Sequence, residues 1–171
     1  MPTAYIGLGA NLPSPAGAPQ TTLSLATERL GELGRVTAQS SFYSTTPVGL
    51  IDQPRFLNAA AALETGLAPR ALLGRLLAIE HEFGRDRSAG IANGPRTLDL
   101  DILLYGDRMV SEPGLEIPHP RLTERAFALV PLAEIAPEAV VPPEGTTVRE
   151  WLRTLMANDP EACAGVRRLE G

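Results

Sequence analysis

The sequence contains no lysine; all 15 of its basic residues are arginine. A P-loop is excluded, because its phosphate-reaching lysine cannot exist here, and so is Schiff-base chemistry. A single cysteine, Cys163, rules out an internal disulfide and any cysteine zinc cluster. Two histidines, His81 and His119, leave a histidine-rich metal site or a buried Ser-His-Asp relay poorly supplied. No apolar run approaches the roughly 18 residues of a transmembrane helix. Residues 1–9 lack the basic flank and apolar core of a signal peptide, so the cytoplasm is the expected compartment and no membrane partner is expected. The net charge of −5 argues against a nucleic-acid surface. Any phosphate binding must therefore rest on arginine, backbone N–H groups and metal.

What remains is a globular chain. Its 171 residues suffice for one domain with a core, its hydrophobic content is 44% and its mean hydropathy is +0.01. The most informative stretch is 94–105, where a Gly94-Pro95 turn leads into a strand over Thr97–Tyr105. Side chains alternate along a strand, which puts Thr97, Asp99 and Asp101 on one face and Leu98, Leu100, Ile102 and Leu104 on the other. Carboxylates two residues apart on a strand lie roughly 7 Å apart at Cα. Like charges that close are either solvated or hold a cation, and all-oxygen ligands suit a hard ion such as Mg²⁺. Arg96 could reach an anion held by such a cation. A half-exposed polar strand face is the simpler alternative.

Along the chain, residues 3–9 read as a first strand ending in a tight turn at Gly9-Ala10-Asn11, since no third glycine completes a dinucleotide fingerprint. Thr21 or Thr22 is placed to cap a helix carrying Leu23, Ala26, Leu30 and Leu33, with Gly34 ending it. Residues 35–45 alternate as a second strand. A proline-bearing loop follows at Thr46-Pro47-Val48-Gly49 and Asp52-Gln53-Pro54. Residues 56–65 read as a strand despite their alanines, with Phe56, Asn58 and Ala60 facing one way. An aromatic ring beside an amide suits a flat heterocycle, and equally a core Phe beside a structural Asn.

Pro69 opens a helix whose stripe of Leu72, Leu73, Leu76, Ile79 and Phe83 runs to Gly84. Glu80 borders that stripe, either as an exposed edge residue or as a ligand contact. The segment 85–94, with Arg85 and Arg87, reads as a mobile arginine loop beside the carboxylates, suited to closing over a phosphate or simply solvated. Residues 108–110 form a short strand, 117–121 are too rich in proline to be regular, and Thr123 caps a short helix that Pro131 breaks or kinks. Thr147 and Glu150 have capping-box spacing ahead of a final helix. One domain is expected over residues 1–157, followed by a polar, frayed tail over 158–171. The β-α-β-β-α-β order predicts an α+β, ferredoxin-like antiparallel sheet with helices on one face, plus an appended short strand and C-terminal helices. The other face is left for a ligand.

Six stretches, in order, resemble one known family. They are Tyr5-Ile6-Gly7-Leu8-Gly9-Ala10-Asn11-Leu12, Ser41-Phe42-Tyr43, Asp52-Gln53-Pro54, Phe56-Leu57-Asn58-Ala59, Gly94-Pro95-Arg96-Thr97-Leu98-Asp99-Leu100-Asp101 and Ile117-Pro118-His119-Pro120-Arg121. The family is 6-hydroxymethyl-7,8-dihydropterin pyrophosphokinase of folate biosynthesis. The resemblance implies Mg²⁺-dependent transfer of pyrophosphate from ATP to the pterin hydroxymethyl group, with release of AMP. It implies Asp99 and Asp101 as ligands of two Mg²⁺ ions, and Arg85 and Arg96 as arginines that stabilise the transferring group. Thr45, Thr46, Pro47, Val48, Phe56, Asn58 and Phe127 would hold the pterin. Glu80, Arg87, His119 and Arg125 would meet the nucleotide. Asn93 stands where members often carry Trp. A stand-alone monomer with no obligate protein partner is expected. A different Mg²⁺-dependent nucleotide phosphohydrolase, or a non-catalytic small-molecule module, are the alternatives.

Overall fold

The computed structural model describes residues 1–49, 52–85 and 95–169. Its main sheet is antiparallel throughout. The first strand, β1 (Thr3–Ala10), runs between β4 (Phe56–Glu64) and β5 (Asp99–Tyr105). The far side of β4 carries β2 (Arg35–Gln39) and β3 (Tyr43–Thr45), and β10 (Val166–Arg168) closes the sheet beside β3. Two short hairpins, β6 (Val110–Glu112) with β7 (Leu115–Ile117) and β8 (Val140–Val141) with β9 (Thr146–Thr147), lie apart from it. Among the described residues no helix is long and apolar enough to cross a membrane.

Helices cover both faces of the sheet, not one as the element order predicted. On one face α1 (Pro19–Leu30) and α2 (Pro69–Glu82) bury Leu23, Leu30, Leu72, Leu76 and Ile79 against Ile6, Leu63 and Leu100. On the other, α3 (Ala126–Ile135) and α4 (Val148–Asn158) bury Leu129, Leu132, Val148 and Leu155 against Ala60, Leu103 and Leu104. The run of small residues Ala59–Ala62 in β4 lets both layers approach the sheet closely, which is why an alanine-rich segment is a strand here.

Local departures from the sequence reading have identifiable causes. The stretch 35–45 is two strands, because Ser40 turns inward and its hydroxyl accepts from the Ala60 amide at 2.8 Å. In β5, Leu103 is a bulged extra residue between the Ile6–Ile102 and Tyr5–Leu104 pairs. The bulge shifts the alternation by one, so Leu104 joins Leu103 against α3 instead of sharing the face of Ile102. Helix α1 begins at Pro19 with no side-chain cap, and the Thr22 hydroxyl instead pairs with Ser14 at 2.7 Å. Gly34 does not end that helix; a Cβ there would lie 2.0 Å from the Glu64 carbonyl, so the glycine permits a close strand approach.

Pro131 does not end α3. The helix continues to Ile135, held by the fully buried Leu129 and Leu132 on either side of the proline. A short 3-10 turn over Leu122–Glu124 precedes it, in place of the helix expected from Thr123. The residues expected as a frayed tail form α5 (Pro160–Ala164) and β10, and β10 adds a strand to the main sheet. The Thr147–Glu150 capping box is present, with the Thr147 hydroxyl accepting from the Glu150 amide at 3.2 Å.

Candidate active site

Asp99 and Asp101 open β5 beside β1, opposite Gly9 and Gly7. Glycines at those two positions leave the strand surface low, and the carboxylates border a cleft over it. The end of α2 aims the chain at them. Gly84, at φ +86°, donates to the His81 carbonyl at 3.0 Å, and Arg85 N–H donates to the Glu80 carbonyl at 3.1 Å. This left-handed glycine closure is a Schellman turn. It delivers Arg85 to Asp99: the guanidinium donates to Asp99 Oδ1 at 2.6 Å and to the Leu98 carbonyl at 3.1 Å. Arg96 donates to Asp99 Oδ2 at 3.0 Å from the other side.

Glu80 is not an exposed edge residue. It is 1% exposed, accepts from the Leu100 amide at 2.7 Å and lies 3.6 Å from the Arg85 guanidinium. It braces the start of β5 and Arg85 from beneath. The Asp101 carboxyl is pushed up to about 8, first by burial and then by the neighbouring Asp99 charge. That pair is a donor set of two convergent carboxylates whose mutual repulsion a divalent cation would relieve. Mg²⁺ is held by one or two carboxylates together with waters and substrate phosphates, and the two aspartates fit it. Among the described residues no group of three or more acidic, histidine or cysteine side chains is gathered.

Beside the aspartates lies a cleft lined by Gly9, Thr45, Thr46, Val48, Phe56, Asn58, Arg96, Asp99, Arg125 and Phe127. Asn58 is fixed at its centre: the Thr45 hydroxyl donates to its Oδ1 at 2.6 Å, and its Nδ2 donates to the Leu8 carbonyl at 3.4 Å. Gly9 is required below it, since a Cβ there would stand 2.7 Å from Asn58 Nδ2. Phe56 and Phe127 supply aromatic walls. The Arg125 guanidinium lies 5.4 Å from the centre of the Phe127 ring. Pro47 is buried and does not line the cleft.

His119 borders both the aspartates and a second groove formed by Leu73, Leu77, Ile102, Leu115 and Pro120. Its Nδ1 accepts from the Arg121 amide at 3.2 Å. Burial, and then the Arg125 charge, lower its pKa, which favours the neutral ring. Arg87 and Asn93, with the rest of the segment 86–94, lie outside the described residues.

Asn11 is a hub that the sequence reading took only as part of a turn. It is 4% exposed; its side chain donates to the Pro54 carbonyl at 2.9 Å and to Gln53 at 3.0 Å, and accepts from the Arg96 amide at 2.8 Å. It thereby ties the proline-bearing loop to the arginine that meets Asp99. An Asn closing a strand after two glycines was the available signal.

An aspartate pair with converging arginines, set against an aromatic cleft that carries a fixed amide, has the chemistry to handle phosphate beside a flat ring. The comparisons agree with that class. Residues 5–137 match the family model for 7,8-dihydro-6-hydroxymethylpterin-pyrophosphokinase. A Pseudomonas aeruginosa protein named 2-amino-4-hydroxy-6-hydroxymethyldihydropteridine pyrophosphokinase is 46% identical over 169 residues, covering 98% of this chain and 96% of that one. A mitochondrial folate synthesis bifunctional protein of Arabidopsis thaliana is 49% identical over 116 residues, 68% of this chain and 20% of that one. Among solved structures, Plasmodium falciparum HPPK-DHPS shares the fold with a TM-score of 0.68 at 16% identity, over 98% of this chain and 47% of that one. This chain belongs to the 7,8-dihydro-6-hydroxymethylpterin-pyrophosphokinase family. It is a pyrophosphokinase, a transferase.

Proposed function

We propose that the chain transfers pyrophosphate from ATP to the hydroxymethyl group of 6-hydroxymethyl-7,8-dihydropterin, in a Mg²⁺-dependent step that serves folate synthesis. The observation that carries this reading is the juxtaposition of the Asp99–Asp101 pair with the Phe56–Asn58–Phe127 cleft. With β2 and β3 counted together as one edge beside β4, the antiparallel order β-α-β-β-α-β supports a ferredoxin-like description. The reading needs no nucleic acid, membrane or protein partner, and the enzyme is taken as a cytoplasmic monomer of one domain.

The pterin ring lies between the aromatic walls, with its edge nitrogens paired to Asn58 and to backbone groups near Thr45–Val48. The nucleotide occupies the side of the site that His119, Arg125 and the apolar groove define. The substrate hydroxyl oxygen forms a bond to the β-phosphorus of ATP. The bond from that phosphorus to the α-phosphate's bridging oxygen breaks, AMP leaves and the hydroxyl proton is released. Asp99 and Asp101 would hold Mg²⁺, two ions in this reading, which supply charge neutralisation on the phosphates. Arg85 and Arg96 place fixed positive charge where negative charge shifts during transfer. Glu80 holds Arg85 and the start of β5 in register, a positioning role.

Incubation with ATP, Mg²⁺ and the pterin, followed by chromatography, tests the reading. AMP and pterin pyrophosphate in equal amounts, both lost without Mg²⁺, are expected. ADP, or AMP formed without pterin, would instead indicate a nucleotide phosphohydrolase.

A further inference from the structure

The family match stops at residue 137, yet the segment beyond it bonds to Thr46, which lines the cleft. The Gly165 carbonyl, at the junction of α5 and β10, accepts from three donors. Thr46 N–H lies at 3.1 Å, the Thr46 hydroxyl at 3.4 Å and the Arg55 guanidinium at 2.9 Å. Arg55 also donates to the Ser44 hydroxyl at 2.8 Å, the Ser44 carbonyl at 3.0 Å and the Thr46 hydroxyl at 3.0 Å. Among the described residues this guanidinium has no carboxylate partner; its planar fork is spent on neutral acceptors from two other segments. The place of those segments gives the arrangement meaning. Arg55 directly precedes Phe56, Thr46 follows Thr45, and Val166 pairs with Thr45 across the sheet. A Cβ on Gly165 would lie 2.7 Å from Thr46 Oγ1, so any larger residue there would push the Thr46 hydroxyl aside.

We propose that Arg55 is a positioning residue that clasps the Gly165 carbonyl to the Ser44–Thr46 strand end, making the C-terminal segment part of the pterin pocket. The clasp sets the Thr45–Thr46 wall at a fixed distance from Phe56, so it governs pterin affinity and leaves the phosphate chemistry alone. The proposal rests on the pterin reading above. Arg55 is exposed, so its removal costs little core packing and the variant is expected to fold.

Steady-state kinetics of Arg55→Ala and Gly165→Ala, varying pterin and ATP separately, test it. For both variants the pterin KM should rise roughly tenfold, the loss of about one or two charge-assisted hydrogen bonds or their displacement. The kcat should stay within about twofold and the ATP KM should not move. Arg55→Lys, a point charge without the fork, should recover only part of the loss. A wild-type pterin KM in both alanine variants, with only the melting temperature lowered, overturns the proposal and leaves the clasp a mere brace. A changed kcat or ATP KM with the pterin KM intact overturns it as well. If the wild-type enzyme itself neither binds nor converts the pterin, the pterin reading fails, and this proposal falls with it.

Discussion

Asp99 is held by two arginines at once, from opposite sides and from opposite ends of the segment 86–94. A carboxylate between two guanidiniums offsets their mutual repulsion. Burial, and then the Asp99 charge, raise the Asp101 pKa to about 8, which favours its neutral form. Asp101→Asn mimics that neutral form and should fold normally. Its kcat should nonetheless fall on the order of 10²-fold or more, with little change in pterin KM; near-normal turnover would remove the metal assignment. In the cleft, Asn58→Ala and Gly9→Ala should weaken pterin binding alike, the first by deleting the amide and the second by displacing it. Calorimetric titration with pterin alone checks both, and unchanged affinity in either takes the amide out of the site. The shared face of the aspartates was legible because a period of two is fixed by backbone geometry. The roles of Glu80 and Asn11 were not, since their partners, the Leu100 and Arg96 amides and the Pro54 carbonyl, stand 20 to 85 residues away in sequence.

At the scale of elements, periodicity located α2 well, because it buries a continuous stripe, while β1 and β4 were readable from their length and the turns that bound them. Where it failed, one residue decided. Ser40 splits a strand by turning its hydroxyl onto Ala60, and Leu103 shifts a register by being unpaired. Pro131 is carried by a helix whose neighbours on both sides are in the core. Local propensity contains none of these, as each depends on what the segment packs against. The capping box was readable because cap and partner are three residues apart. Thr147→Ala should therefore cost about 1 kcal/mol of stability in urea unfolding with kcat unchanged. An unaltered midpoint would mean that α4 is held by packing alone. The tail was misread for a related reason: α5 and β10 are short and polar, and β3 supplies the pairing that orders β10.

For the molecule as a whole, the element order gave an antiparallel sheet but not the second helical layer, because Leu103, Leu104 and Ala60 look in sequence like ordinary strand residues. That layer matters to function: α3 begins at Ala126, and Phe127 in its first turn lines the cleft. Charge at the cleft also ties stability to pH. Between 3.8, where Asp101 would titrate unfolded, and about 8, the folded metal-free chain keeps a proton that the unfolded chain has lost. Stability should therefore fall as pH rises through that window. Mg²⁺ should raise the melting temperature more at the upper end of the window than at the lower. Equal Mg²⁺ shifts across the window would place the metal elsewhere.

ATP labelled with ³²P at either the α or the β position tests directly which phosphorus is attacked. All β-label should move to the pterin product while all α-label remains in AMP, each in an amount equal to the pterin consumed. Transfer of a single phosphoryl group, with α- and β-label remaining together in ADP, would contradict pyrophosphate transfer.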